Sequence, residues 1–328
     1  TNTRDVVIES LDVVDDNPQD LEPGRLLLQK YAASSISKGY REKSKVSIQD
    51  YIAQKDVIRN RIIWVKGLDG TAASKWINFC KGFTPKTAVE GLFVLEVHGK
   101  ITPPDNRFIE YIDFSECVSS YDVQLFNSFV LDDEENTSYK SDSWKKYISA
   151  TAAMVCNIDA EVSEYLLHDV DFRCESALDG IARIAEMPEF SRRGAEAGAD
   201  HVLWLYRNNK NAELMRRIWA SQVQVLFPII EMERIEIIEK YRTEIDEALH
   251  ANLITQYGEQ ITNPMEVELG SLCYMMSHHQ SGDAYMLYIP EEIDRDWIKF
   301  LHECRNSLAH VSCCNPDQVR KLLDKLPV

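Results

Sequence analysis

The chain has no CxxC pair among its eight cysteines, and no Cys/His cluster has zinc spacing. The thiols fall at 80, 117, 156, 174, 273, 304, 313 and 314, and the adjacent Cys313-Cys314 is a poor chelate. Their scatter excludes a zinc-module reading and suits single thiols used as small apolar residues in a reducing cytosol. Long apolar runs are also missing. Val223 to Ile230 is among the longest, far short of a bilayer span, so no membrane role is expected. Positive charge is in deficit: the formal net charge is −17, which argues against broad binding along a nucleic-acid backbone. G-x-S-x-G, GxGxxG and HExxH are absent, and with them the hydrolase, dinucleotide and zinc-protease signatures. No internal repeat or low-complexity tract occurs. The chain opens at Thr1 with no methionine and no signal-like apolar stretch, the pattern of a processed chain or a piece of a longer protein.

What is present is enough for two domains: 328 residues, 45% of them hydrophobic. Val6-Val7-Ile8 reads as an edge strand. Ile62 to Val65 forms a short apolar run ending at Gly67, with Gly70 close behind. Ser74 to Cys80 has a helical pattern, with Ser74 or Thr71 as N-cap. Gly91 to Val97 reads as a second, buried-type strand, and Phe108 to Phe114 as a third. Strand, glycine turn, helix and strand together imply a parallel-sheet α/β domain. The acidic stretch Leu131 to Asn136 marks a loop and a boundary, giving an α/β domain over 1–135 and a mainly helical domain over 136–328. In the second domain, Trp144 to Met154 and Ala160 to Leu167 have helical patterns. Glu213 to Leu226 and Pro228 to His250 read as two long helices broken at Pro228. Asp294 to His310 and Asp317 to Leu326 are the last two, parted by Asn315-Pro316.

The turn from Gly67 to Lys75 follows a strand and opens a helix, where backbone N–H groups can face an anion. A working P-loop needs a lysine directly after a glycine and a hydroxyl after that. Here Lys75 follows Ser74, and Glu96 closes a hydrophobic strand behind Leu95 rather than an aspartate. The arrangement resembles the core of an AAA-like or STAND-type ATPase with its nucleotide chemistry eroded. An ordinary strand-turn-helix accounts for it equally, and no cofactor is expected.

The richest segment is Trp297 to His310, one amphipathic helix. On a wheel of about 100° per residue, Trp297, Leu301, Cys304, Leu308 and Val311 share the core stripe. Arg305 and His310 lie about 140° apart and rim a polar face that also holds His302, Asn306 and Ala309. RNA cleaves itself when a base takes the 2′-OH proton and a cation supports the phosphorane. A histidine near neutrality suits the first task and an arginine fork the second. The alternative is structural: Arg305 pairs with Glu303, Asp294 or another acid, and His310 sits as a cation at a helix C-terminus.

Arg305, the polar Asn306 directly after it, and His310 resemble the R-x4-6-H motif of HEPN domains, which are all-α modules. The likeness covers roughly the last third of the chain, and the helix Asp317 to Leu326 fits the usual ending. It implies a metal-independent endoribonuclease of a prokaryotic antiphage or conflict system, working as a homodimer. His310 would be the base, Arg305 the phosphate clamp and Asn306 an orienting group. Other members are noncatalytic sensor or interaction subunits of larger complexes, and that role is the alternative expectation. RNA is the expected substrate and the cytoplasm the expected location.

The remaining features read as structural. Lys38 to Lys45 and Arg207 to Arg217 are basic clusters of solvated type. His278-His279 lies in a polar stretch without a third metal ligand. Glu231, Glu233, Glu236 and Glu239 form a solvated helix face. The six tryptophans sit on apolar patterns, as core or interface residues.

Overall fold

The computed structural model describes residues 6–17, 19–41, 45–83, 91–97, 101–133, 139, 141–191, 193–194, 200–250, 260–281 and 284–325. The chain divides into two compact units, Thr1–Phe114 and a larger one made of Ser115–Ala195 and Ala199–Val328.

In the first unit, strand β1 (Val7–Asp12) is followed by helices α1 (Pro23–Tyr31), α2 (Ser34–Gly39) and α3 (Ile48–Gln54). Then come β2 (Arg61–Leu68), α4 (Gly70–Lys81) and β3 (Gly91–Val97). The strands form a parallel sheet in the order β1-β2-β3. Alternation decides which side is buried. Leu11, Ile63 and Val65 point into a core with Leu27, Ile52, Trp76 and Phe79. The opposite face carries Ile8 in register with Ile62 and Leu92, then Ser10 with Trp64 and Val94. Ile8, Trp64, Leu92 and Val94 are exposed there. Parallel strands are usually covered on both faces, so β3, expected to be a buried strand, departs from that pattern.

Three local expectations are corrected in this unit. β2 does not stop at Gly67 but runs through it to Leu68, where the register slips between Val65 and Leu68. Gly67 absorbs the irregularity with a φ of +73°, a left-handed conformation that glycine takes without steric cost. The N-cap of α4 is neither Thr71 nor Ser74 but Asp69, whose carboxylate accepts from the Ala72 N–H at 2.6 Å. Phe108 to Phe114 forms no strand. It is irregular up to Asp113, and Phe108, Tyr111, Ile112 and Phe114 are exposed.

The second unit is helical. It contains α5 (Phe114–Cys117, starting at the boundary), α6 (Ser120–Asp133), α7 (Asp142–Cys156), α8 (Ala160–Asp169), α9 (Ala177–Glu186) and α10 (Val202–Arg207). Next are α11 (Asn211–Lys240), α12 (Arg242–Leu249), α13 (Leu269–Ser277), the short antiparallel strands β4 (His279–Ser281) and β5 (Ala284–Tyr285), α14 (Glu292–Ala309) and α15 (Pro316–Asp324). The acidic stretch is helical as far as Asp133, and 134–136 lie outside the described residues.

Helix α7 is the centre of this unit. Tyr147 to Ala153 are all buried, and the run of Ser149, Ala150, Thr151, Ala152 and Ala153 lets α6 and α11 approach closely. Its buried hydroxyls and their neighbours are satisfied. Thr151 meets Ser221 at 3.0 Å, and Asn127 donates to the Ser149 carbonyl at 3.2 Å. Helix α11 then packs on α14, and α14 on α13.

The expected break at Pro228 does not occur: α11 is one helix of 30 residues. Proline removes one N–H and strains the preceding turn. Here Pro228 is on the exposed side, while Leu226 and Ile230 are buried. The core contacts of the helix therefore survive the lost bond. The chain breaks instead at Tyr241, whose hydroxyl lies between the carboxylates of Glu291 and Asp294 at the start of α14 and donates to one of them.

Candidate functional site

Helix α14 buries Ile298, Phe300, Leu301, Cys304 and Leu308, with Trp297 packed half-exposed at the edge of the core. Glu292 and Asp294 in its first turn complement the helix dipole. The helix ends one residue earlier than expected. His310 is its C-cap, and Val311 follows with a φ of +59°. The Ser312 N–H reaches the Ser307 carbonyl at 2.9 Å and the Val311 N–H the Leu308 carbonyl at 3.3 Å. These bonds make a Schellman ending whose left-handed position, usually glycine, is a valine. Val311 consequently leaves the core stripe where the helical wheel put it, and is 57% exposed.

Helix α11 clamps this ending. Trp219 Nε1 donates to the Leu308 carbonyl at 2.7 Å. Gln222, buried, accepts from the Cys314 N–H at 2.7 Å and donates to the Cys314 carbonyl at 3.0 Å. Asn315 then opens α15 through a capping box with Gln318.

On this framework Arg305 turns toward the start of α13 and pairs with Glu268 at 3.6 Å. The acid is neither Glu303 nor Asp294. Asn306 Nδ2 donates to His302 Nε2 at 2.9 Å. The His310 side chain is exposed and has no hydrogen-bonding partner among the described residues. No hydrogen bond joins Arg305 to His310 among the described residues. The structure thus brings Asn306 to His302 and Arg305 to Glu268, and leaves His310 open at the helix end. Arg305 and His310 are five residues apart, about 7.5 Å along the axis. Sequence reasoning passed over Glu268, Trp219 and Gln222, which are remote in sequence. The His302–Asn306 bond was within reach, because four-residue spacing on a helix makes neighbours.

The other features settle into structural roles. Arg207 donates to the carbonyls of Arg193, Ala185 and Phe190, and Arg217 to that of Val155. Arg216 stays exposed, with an ion pair to Glu213 at 3.4 Å. In the Lys38 to Lys45 cluster, 42–44 lie outside the described residues. Glu233 departs from the solvated face: it is half-buried and accepts from Trp297 Nε1 at 3.1 Å while pairing with Lys325 at 2.6 Å. His278 stacks on Tyr274 with ring centroids 3.8 Å apart, and His279 opens β4 rather than lying in a loop. Among the described residues no group of three His, Cys, Asp or Glu side chains could hold a metal. Burial pushes the Cys80 thiol up to about 12, as an inert apolar residue requires, whereas Cys117 and Cys174 are exposed.

In the first unit a cleft of about 340 Å³ opens where β1 and β2 end, lined by Asn17, Asp20, Gly67, Asp69, Lys75 and Trp76 among others. This is where parallel sheets hold ligands. Its electrostatics are poor for a phosphate. The Asp69 carboxylate caps the start of α4 and already occupies the Ala72 N–H, and Lys75 pairs with Asp20 at 3.3 Å and Glu22 at 3.9 Å. An anion entering there meets two carboxylates and a lysine that is already paired.

Comparison with known proteins leaves the geometry to stand by itself: no family model, no curated protein and no solved structure matches this chain. No helix among the described residues is long and apolar enough to cross a membrane.

Proposed function

We propose that the chain is a component of a prokaryotic antiphage or conflict system and that its helical end is a metal-independent endoribonuclease. The observation that carries this reading is the His310 ring, exposed at the end of α14 and without a hydrogen-bonding partner among the described residues, one turn beyond Asn306 and close in sequence to Arg305. The resemblance to the HEPN motif supplies the chemistry. His310 takes the proton from a ribose 2′-OH as general base. The Arg305 guanidinium binds the scissile phosphate and supports charge on the phosphorane. Its exposed ion pair with Glu268 is weak, and a phosphate displaces it readily. Since no hydrogen bond joins the two groups among the described residues of one chain, two copies of α14 facing each other across a twofold axis would assemble base and clamp around one RNA strand. The 2′-oxygen bonds to phosphorus as the P–O5′ bond breaks, and the departing 5′-oxygen takes a proton from water, leaving a 2′,3′-cyclic phosphate and a 5′-hydroxyl.

A second reading is a noncatalytic interaction subunit of the same kind of complex. The observation in its favour is a bare apolar stripe on α6, where Tyr121, Leu125 and Phe129 follow at four-residue steps and are 74%, 56% and 63% exposed.

The experiment is RNA cleavage by the purified chain with EDTA present, beside His310→Ala and Arg305→Ala. The endoribonuclease predicts cyclic phosphate ends from wild type and a loss of about 100-fold or more in His310→Ala. Equal rates in all three sink it. Stable hetero-complex formation without cleavage, lost in Leu125→Asp, puts the interaction subunit first.

A further inference from the structure

We infer that His302 is a positioning residue of the same site: it fixes which end of the Asn306 amide faces the general base. This rests on the endoribonuclease reading and names a group that neither the motif nor the helical wheel assigned a role.

A free asparagine at a helix surface presents its carbonyl and its amino end interchangeably. Asn306 is not free, because its Nδ2 donates to His302 Nε2 at 2.9 Å. An imidazole nitrogen that accepts carries no proton, so the His302 ring has its hydrogen on Nδ1. The bond holds the amino end of Asn306 toward His302 and turns Oδ1 away from it. Oδ1 has no partner among the described residues.

A second observation, from a different helix, shows that room is kept for this ring. Opposite His302 in the first turn of α13 stands Gly270. Its backbone is ordinary helix, so nothing in its conformation requires glycine. A Cβ at that position would lie 3.3 Å from His302 Nε2 and 3.8 Å from Cδ2. Glycine inside a helix is less stabilising than alanine. Here it leaves the ring space to meet Asn306.

The consequence is chemical. His302, Asn306 and His310 follow at four-residue steps, each about 6 Å further along the same side of the helix. With Nδ2 engaged, Asn306 offers an acceptor beside the general base. An acceptor there takes the ring N–H of His310 as the imidazole removes the ribose 2′-OH proton and becomes charged. The same group turned round would offer a donor, which an imidazolium cannot use. His302 itself touches no reacting atom.

The test compares wild type, His302→Ala and His302→Gln, each checked by circular dichroism and thermal melting. Glutamine keeps a side-chain acceptor four residues before Asn306. The first readout is RNA cleavage with kcat and KM separated. His302→Ala should lose about tenfold in kcat, the equivalent of one hydrogen bond, with KM unchanged, and His302→Gln should recover most of it. The second readout needs no activity: the side-chain amide signals of Asn306 in 15N-asparagine-labelled protein, assigned by their loss in Asn306→Asp. They should move in His302→Ala and stay near wild type in His302→Gln. An unmoved Asn306 amide in His302→Ala overturns the positioning, as does a moved amide with unchanged kcat. If wild type does not cleave RNA, the endoribonuclease reading falls by that result. The amide signals then decide the positioning alone, for or against.

Discussion

Gln222→Ala should be among the most damaging single changes near the candidate site, although residue 222 is far from it in sequence. The side chain is 2% exposed and makes three hydrogen bonds. Its Oε1 accepts from the Cys314 N–H, and its Nε2 donates to the Cys314 carbonyl and to the Tyr147 hydroxyl. Truncation to alanine strands the two backbone groups of Cys314, itself 4% exposed. Tyr147 can still turn to Thr151, so its hydroxyl is not orphaned. Each stranded buried group costs about 1–3 kcal/mol, and a water admitted by the vacated amide recovers part of that. The expected loss is therefore about 3 kcal/mol. Gln224→Ala is the control: that side chain is half-buried, with one bond of 3.4 Å to Gln124, and should cost no more than about 0.5 kcal/mol. Urea unfolding followed by tryptophan fluorescence reads the difference as a lower midpoint at unchanged slope. Hydrogen exchange of a 308–316 peptide should rise in the same variant, because the clamp on the end of α14 is gone. Gln222→Met separates the causes, since it refills most of the space without restoring any bond. If methionine recovers more than half of the loss, packing rather than hydrogen bonding carries the effect and the reasoning fails. A Gln222→Ala cost within about 1 kcal/mol of the control refutes it outright.

Three further outcomes are expected. Val311→Gly should raise stability by about 1 kcal/mol, because it places glycine at the left-handed position of the α14 ending and removes an exposed side chain with little to lose; a lower melting temperature would contradict this. Pro228→Ala should also stabilise, by about 1–3 kcal/mol, since it restores an N–H on the exposed side of α11 without touching the core; unchanged urea midpoints would mean that the helix has already compensated. The third concerns Asp159, which caps α8 and meets His201 at 2.8 Å and Arg193 at 3.1 Å. Burial pushes its carboxyl up, but the His201 bond and the Arg193 charge outweigh that and hold it below the usual carboxylate value. A lowered folded value means stability that is present above about pH 4 and lost as the pH falls through the lowered value. Asp159→Asn should flatten that acid limb of the stability curve, and an unchanged limb would place the acid sensitivity elsewhere.

Much of the helical unit was legible because its signals are local. Helices α7, α8, α14 and α15 lie close to where capping residues and 3.6-residue periodicity put them, and Gly91–Val97 is a strand with the expected bounds. Legibility ended wherever a distant partner had the casting vote. Phe108 to Phe114 has the composition of a strand, but a strand exists only when another backbone accepts its hydrogen bonds. Pro228 is a local stop signal that the packing of α11 on α7 and α14 overrides. Val311 matches the core stripe by angle, yet the helix has already ended when the chain reaches it.

The candidate site divides in the same way. Arg305, Asn306 and His310 are chemistry written into consecutive turns of one helix, and their residue types and spacing needed no fold to be noticed. Which partner each would take did not follow from spacing. Glu268 reaches Arg305, Gly270 makes room for His302, and Trp219 and Gln222 hold the end of α14, and all four come from α11, from α13 or from beside it. Periodicity reports which face a side chain occupies. Only the packing of helices far apart in the chain decides what that face meets, because a hydrogen bond or an ion pair depends on ångströms that no spacing rule contains.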